Sequence, residues 1–525
     1  MLVATAVIAL LAGSLSGCGV NKAQPSESDN AVVATASGSV RGVVTTDKRQ
    51  FSGIPYAAAP VGDLRWKLPM PPQAWSQVRD ATNIGADCLQ PATSGPAGTL
   101  SGSEDCLYLN VTTPRGPADR QRPVLVWIHG GGFQTGSGSW FDPSKLVAAG
   151  DMIAVSINYR LGAPGFLAHP GLAQPDGQVG NFGLLDQQAA LRWVRDNIAA
   201  FGGDPTKVTI AGESAGAMSV CDHLASPASE GLFRGAILES GPCELQADRT
   251  TAVTRSEEYA NTVGCPGGDA TAVAQCLRGL PADRLMTTPL EYAGPAGSRV
   301  PGPVTGQPLL PEPTSGFRAG KAAKVPVLIG TNHDEFTFFA VSGPLAQHPM
   351  TGEQYSQQLA QIFGPNAEAI AARYPLTNYD QPVLAFSAAM TDYAIVCPNA
   401  DMSTSLSRSA PVYAYEFADP NAAPFKGMPA PPPFPLGAAH AFELPYLFDT
   451  NFGTPPASPA QQKLSDQMIH YWAAFVRTGD PNTPGQPTWP QHNNNTALIL
   501  KPGTLTTGNV AAEHNCDLRA TIASQ

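Results

Sequence analysis

The sequence predicts an α/β fold built on one large, mixed and mostly parallel sheet, and three observations carry that prediction. Apolar runs of strand length recur at Val124–Ile128, Ile153–Ile157, Val208–Ala211, Ala236–Leu238 and Val325–Ile329. None alternates with polar residues, which suits strands covered on both faces. Helical stretches stand between these runs, and a Gly-x-Ser-x-Gly turn joins one strand directly to one helix. The first helix is expected over Leu184–Ile198, with Leu184, Leu191 and Val194 on related turns and Trp193 adding bulk. A second follows at Ala215–Leu224, and a third at Gln461–Val476, where Leu464, Met468, Trp472 and Phe475 fall in step. The Pro/Gly-rich stretches Thr287–Phe317 and Pro420–Leu436 read as excursions at the rim of the sheet. With 525 residues the chain is long enough for two or three domains, but these elements predict a single body.

Composition narrows the function. Hydrophobic residues make up 43% of the chain and charged residues 14%, with 52 Gly and 51 Pro, which describes a loop-rich globular protein. A net charge of -11 argues against nucleic acid as a partner. The first 17 residues form an apolar run closing on small residues, which reads as a signal peptide. Leu15-Ser16-Gly17-Cys18 is similar to the bacterial lipobox, although no Lys or Arg precedes the apolar run. That pattern predicts lipid on Cys18, a flexible tether over residues 18–36, a folded domain over 37–525, and an extracytoplasmic location at the cell surface or beyond. Nine cysteines agree, because eight remain once Cys18 is set aside and an oxidising compartment pairs them. No cysteine or histidine cluster has metal-ligand spacing, so no metal is expected. Proximity suggests Cys88–Cys106 and Cys265–Cys276; Cys221, Cys243, Cys397 and Cys516 are left open.

The chemistry is concentrated at two glycine motifs. Gly212-Glu213-Ser214-Ala215-Gly216 lies between the strand Val208–Ala211 and the helix Ala215–Leu224. A serine on such a turn is held in a strained conformation, and only small residues fit two positions to either side. It also sits at a helix N-terminus, where free N–H groups favour developing negative charge. Without those flanks Ser214 would read as an ordinary helix cap. His129-Gly130-Gly131-Gly132-Phe133 follows the strand Val124–Ile128, and consecutive glycines let backbone N–H groups approach a substrate carbonyl. Nucleophile and oxyanion donor are thus both provided for.

A base and an acid must complete the set, in the chain order serine, acid, histidine. Asp334 and Glu335 follow the strand Val325–Ile329 at its C-terminal end, where catalytic groups of open sheets collect. Residue chemistry alone does not choose between them. Among the later histidines, His440 stands in Gly437-Ala438-Ala439-His440-Ala441, where small neighbours let an imidazole reach a crowded serine. His470 falls within a helix, and His348, His492 and His514 lack that setting.

These motifs resemble those of the type-B carboxylesterases, the family of cholinesterases and some fungal lipases, from about Gly38 to the C-terminus. Phe51-Ser52-Gly53-Ile54-Pro55-Tyr56-Ala57 with Arg65-Trp66, and Ser103-Glu104-Asp105-Cys106-Leu107-Tyr108-Leu109-Asn110, are similar to family signatures. So are Asn158-Tyr159-Arg160, Gly180-Asn181-Phe182-Gly183 and Asp480-Pro481-Asn482. The resemblance implies an α/β-hydrolase fold and a triad of Ser214, Glu335 and His440, with Gly131, Gly132 and Ala215 supplying oxyanion N–H groups. It implies no cofactor. It also implies disulfides Cys88–Cys106, Cys265–Cys276 and Cys397–Cys516, leaving Cys221 and Cys243 on neighbouring elements where a fourth bridge is expected. Two structural ion pairs are implied, Arg65 with Glu104 and Arg160 with Asp392.

The implied reaction is hydrolysis of a small-molecule carboxylic ester through an acyl-serine. Cholinesterases carry a tryptophan for a quaternary ammonium in the loop before the second signature, but Leu89 to Asp105 contains no aromatic residue. That loop is also too short and polar for the apolar lid of the fungal lipases. Both departures favour soluble esters with short-to-medium acyl chains over a lipase or polyester hydrolase. Phe336, Phe338 and Phe339 are expected in an acyl pocket or in the core. Some members of the family are non-catalytic adhesion proteins, but those typically lack a triad member, and all three are present here.

Overall fold

Eleven strands hydrogen-bond into the central sheet of the computed structural model, which describes residues 31–523 except 93–95, 97, 117–119, 245, 294–298, 344–348 and 494. They are β1 (Val43–Val44), β2 (Lys48–Pro55), β3 (Tyr108–Pro114), β4 (Arg122–Ile128), β5 (Ile153–Ile157), β6 (Gly203–Glu213), β7 (Gly235–Glu239), β8 (Val327–Asn332), β9 (Val412–Phe417), β10 (Thr496–Leu500) and β11 (Thr506–Asn509). Their spatial order is β11-β10-β9-β8-β7-β6-β4-β5-β3-β2-β1. From β5 through β4, β6, β7, β8 and β9 to β10 every neighbouring pair is parallel. The remaining pairs at both edges are antiparallel.

Side chains divide by strand period into two buried layers. Val124, Val126 and Ile128 of β4 join one core with Val155 and Ile210, while Leu125 and Trp127 join the other with Ile237 and Leu328. Continuous apolar strands are therefore required, because both faces are roofed. One roof includes α1 (Phe182–Asn197) and α2 (Ala215–Ala225); the opposite one includes α3 (Phe336–Ser342) and α4 (Pro459–Thr478). Expected and observed elements agree to within a few residues. Strand β8 starts at Val327 because Pro326 has no N–H to give the ladder.

Other features depart from expectation. Val32–Thr35, inside the expected tether, is a strand paired with Gly38–Arg41. The expected signal segment, Cys18 and tether residues 18–30 lie outside the described residues, as does His348. Arg65 does pair with Glu104, through two contacts of 2.6 Å. Arg160 does not pair with Asp392. Its Nε and Nη2 each lie 2.7 Å from Asp186 on α1, which packs beside the loop that follows β5. Asp392 belongs to the other side of the sheet, where His514 and Tyr374 occupy its two oxygens. The cysteines are joined as Cys88–Cys106, Cys221–Cys243, Cys265–Cys276 and Cys397–Cys516. Among the described residues no helix is long and apolar enough to cross a membrane.

Candidate active site

Strand β6 passes into α2 through Ser214, whose φ of 56° and ψ of -123° lie in a region that side chains avoid. Tight packing forces this turn. A Cβ on Gly212 would stand 2.5 Å from the Gly216 carbonyl carbon, and one on Gly216 would stand 2.0 Å from the Ile128 oxygen. The Ser214 N–H donates to the Glu239 carbonyl at 2.8 Å, which pins the turn to the end of β7. The serine itself is half-buried, while its flanks are sealed.

The glycine loop leaves β4 and crosses over this turn. A Cβ on Gly130 would fall 3.1 Å from the Ser214 Cβ, so the two segments touch. Gly131 and Gly132 have φ of 101° and 62°, conformations open to glycine. Among the described residues their N–H groups donate to no backbone carbonyl, and Ala215, as the first residue of α2, has a free N–H by construction. Gln90 braces the loop from the disulfide-closed segment: its Nε2 donates to the Gly136 carbonyl at 2.9 Å and its Oε1 accepts from the Gly136 N–H at 2.8 Å. On the inner side His129 stacks on Tyr159 with ring centroids 4.4 Å apart, and the Tyr159 hydroxyl donates to the His129 carbonyl. Burial pulls the His129 imidazole down to about 4, so it stays neutral.

Glu335 and His440 arrive on two loops clamped together. Asp334 and Ala438 exchange two hydrogen bonds: the Asp334 N–H donates to the Ala438 carbonyl at 3.0 Å, and Asp334 Oδ2 accepts from the Ala438 N–H at 2.9 Å. Asn332 Nδ2 donates to the Ala439 carbonyl at 2.7 Å. Within this frame His440 Nδ1 lies 2.6 Å from Glu335 Oε2, and Glu335 Oε1 accepts from the Asn332 N–H at 2.8 Å. Glu335 is fully buried and His440 nearly so. Asp334 thus belongs to the clamp, and Glu335 is the carboxylate that meets the imidazole. His440 Nε2 points toward β6, 3.1 Å from Glu213 Oε1, without hydrogen-bond geometry.

Carboxylates dominate the electrostatics. Burial raises Glu213 to about 7, although the charge of His440 opposes it. Burial also raises Glu239 to about 8, with Trp472 Nε1 donating to its Oε1 at 2.7 Å. Glu443, held by Asn332 Nδ2 at 2.5 Å, is pushed well above the usual range by burial and by the other three glutamates. Burial pulls His440 down, but Glu213 and Glu335 outweigh it and the net shift is upward. Phe339 and Phe338 flank the imidazole, with ring centroids 5.0 and 5.9 Å away.

A family model described as the carboxylesterase family matches residues 29–518. The chain belongs to the carboxylesterase family. It is therefore a carboxylic ester hydrolase, and the class of substrate is a small-molecule ester. The para-nitrobenzyl esterase of Bacillus subtilis (strain 168) is 37% identical over 486 residues, covering 89% of this chain and 94% of that protein. Cocaine esterase of Homo sapiens is 35% identical over 503 residues, covering 89% and 87%. Among solved structures, a PNB esterase superposes with a TM-score of 0.77 at 34% identity, covering 93% of this chain and all of that one. The sheet and its two helical layers are accordingly the α/β-hydrolase fold of these carboxylesterases. Sequence reasoning did not single out Gln90, Asn332, Glu239 or Glu443. Only Glu443, three residues past His440 on the same loop, carried a local signal.

Proposed function

We propose that this carboxylesterase hydrolyses soluble esters of short-to-medium acyl chains through a Ser214 acyl-enzyme. Ser214 Oγ attacks the ester carbonyl while His440 Nε2 takes its proton, and Glu335 holds Nδ1 so that Nε2 is the basic nitrogen. The N–H groups of Gly131, Gly132 and Ala215 receive the oxyanion, each lowering the barrier by roughly 3 kcal/mol. The alcohol leaves with the proton carried by His440, and water then releases the acid by the same route. In the resting geometry Nε2 lies 3.1 Å from Glu213 Oε1, and the ring turns from there to engage Oγ, as is common before substrate binds.

The observation that carries this reading is the 2.6 Å contact between His440 Nδ1 and buried Glu335 Oε2, beside a serine in a strained turn. Phe338 and Phe339 beside the imidazole support an acyl pocket walled by aromatic rings. The hairpin Gln90–Pro91 with Leu100–Ser101, closed by Cys88–Cys106, supports the absence of a long apolar lid. The four disulfides support an oxidising, extracytoplasmic compartment, and we take Cys18 as the lipid-bearing end of the tether.

The test is the initial hydrolysis rate on p-nitrophenyl esters of increasing acyl length, with Ser214→Ala beside it. We expect rates that fall beyond medium chains and vanish in the variant. High rates on long-chain emulsions would make the protein a lipase. A folded sample with no Ser214-dependent turnover on any ester would refute the mechanism.

A further inference from the structure

A second convergence of imidazole and carboxylate groups lies outside the ester-hydrolysis machinery. His333 follows the end of β8, Glu416 stands near the end of β9, and His514 lies just before Cys516. One nitrogen or oxygen from each of the three lies within 4.8 Å of the others. The imidazole rings themselves are 5.2 Å apart, centroid to centroid.

Both rings are oriented from behind by a carboxylate. His514 Nδ1 lies 2.5 Å from Asp392 Oδ1, and the Tyr374 hydroxyl donates to the other oxygen of Asp392 at 2.5 Å. His514 Nε2 is thereby turned onto Glu416 Oε1, at 2.6 Å. His333 Nδ1 lies 3.1 Å from Asp334 Oδ1, which leaves Nε2 as its free nitrogen. A carboxylate on one ring nitrogen, with the other directed at a shared point, is the support that metal-binding histidines characteristically have. Asp392 opens a single π-helical turn, Asp392–Val396, a form of backbone frequent at functional sites. Access exists as well, because Glu416 and His514 are buried whereas the His333 side chain is 49% exposed.

We propose that His333, His514 and Glu416 bind one divalent transition metal ion of the zinc class. Two imidazoles and one carboxylate suit zinc, whereas calcium and magnesium call for a shell of oxygens. The metal takes the place of the proton shared between His514 Nε2 and Glu416 Oε1, and the exposed His333 closes onto it. One proton leaves as the metal enters, so the buried charge rises by one positive unit against the carboxylates Glu416 and Asp392. A bound ion would join the C-terminal segment, β9 and the loop that carries Glu335.

The full-length protein, stripped with a chelator and dialysed, should be titrated with Zn²⁺ by calorimetry and followed by thermal unfolding. We expect one site per chain, a rise in Tm at saturation, and at least a tenfold loss of affinity in His333→Ala, which removes a half-exposed side chain. Asp392→Asn should weaken binding by about 10- to 100-fold through the orientation of His514. His470→Ala, which removes an exposed imidazole on α4, should bind as the parent does. No zinc site in the stripped protein, or a site unchanged by His333→Ala, overturns the proposal and leaves His514 as a structural ion wedged between two carboxylates.

Discussion

Gly216→Ala should inactivate the enzyme without touching any reacting atom. The added Cβ would lie 2.0 Å from the Ile128 oxygen and 2.9 Å from its carbonyl carbon. An ordinary carbon–oxygen contact is about 3.3 Å, so the turn and the strand must part by roughly 1.3 Å. Ile128 cannot yield, because it pairs with Ile157 of β5 on one side and Gly212 of β6 on the other. Displacement is forced onto the Ser214 turn or onto the glycine loop that begins one residue later. A misplacement of about 1 Å costs roughly 100-fold in rate, or about 2.7 kcal/mol of barrier. Overpacking adds about 1–3 kcal/mol of lost stability. The assay is kcat/KM on p-nitrophenyl acetate together with a thermal melt. Gly279→Ala is the matched control, since nothing lies within 4 Å of its Cβ position at the end of the helix Ala270–Gly279. That control should keep full activity and a melting temperature at or slightly above the parent's. A folded Gly216→Ala protein within threefold of the parent would show that the turn tolerates the separation and that the steric argument is wrong.

Glu335→Gln should lower kcat by about 10⁴-fold with little change in KM, because Nδ1 loses the anion that fixes its tautomer; a loss under tenfold would remove Glu335 from the mechanism. Glu213→Gln should move the acid limb of the kcat/KM–pH profile downward by about one unit. The sign follows from the proposed mechanism, in which neutral His440 is the active form: Glu213 and Glu335 raise it above the ordinary value, and removing one anion lets the proton leave at lower pH. Glu443→Gln should leave that limb in place, since the charges that raise His440 are those of Glu213 and Glu335 and burial pushes Glu443 well above the usual range. Converting Cys397 and Cys516 to Ser should destabilise more than converting Cys265 and Cys276, by about 5 against about 3 kcal/mol. The closed loops span 119 and 11 residues, and urea melts of the two variants read the difference.

How much of this was legible depended on how local each feature is. The parallel strands could be read because two helical layers bury both faces, which writes them as unbroken apolar runs. The Ser214 turn could be read because its steric demands fall within five consecutive residues. The clamp could not be read, since Asp334 and Ala438 are 104 residues apart and their bonds are largely backbone. The expected partner of Arg160 failed for a related reason: an ion pair is chosen by which face of the sheet a side chain joins. Asp186 on α1 shares the face of Arg160, and Asp392 does not.

The glutamates around His440 are the feature least visible in the sequence and the one that best explains how the imidazole is tuned. Glu213, Glu239, Glu335 and Glu443 come from four separate segments, and no spacing links them. Of the four, Glu213 and Glu335 act on His440, and together they outweigh burial and raise it to about 9. Burial raises Glu239 to about 8, so it is largely uncharged at pH 7, and pushes Glu443 well above the usual carboxylate range. Glu213, raised to about 7, stands near the midpoint of its titration. The charge that His440 meets is therefore set chiefly by Glu335, which touches Nδ1, and by Glu213, which faces Nε2. In the proposed mechanism the working base is the neutral imidazole, so these two carboxylates stabilise the imidazolium of the transition state while shifting the acid limb of activity to higher pH.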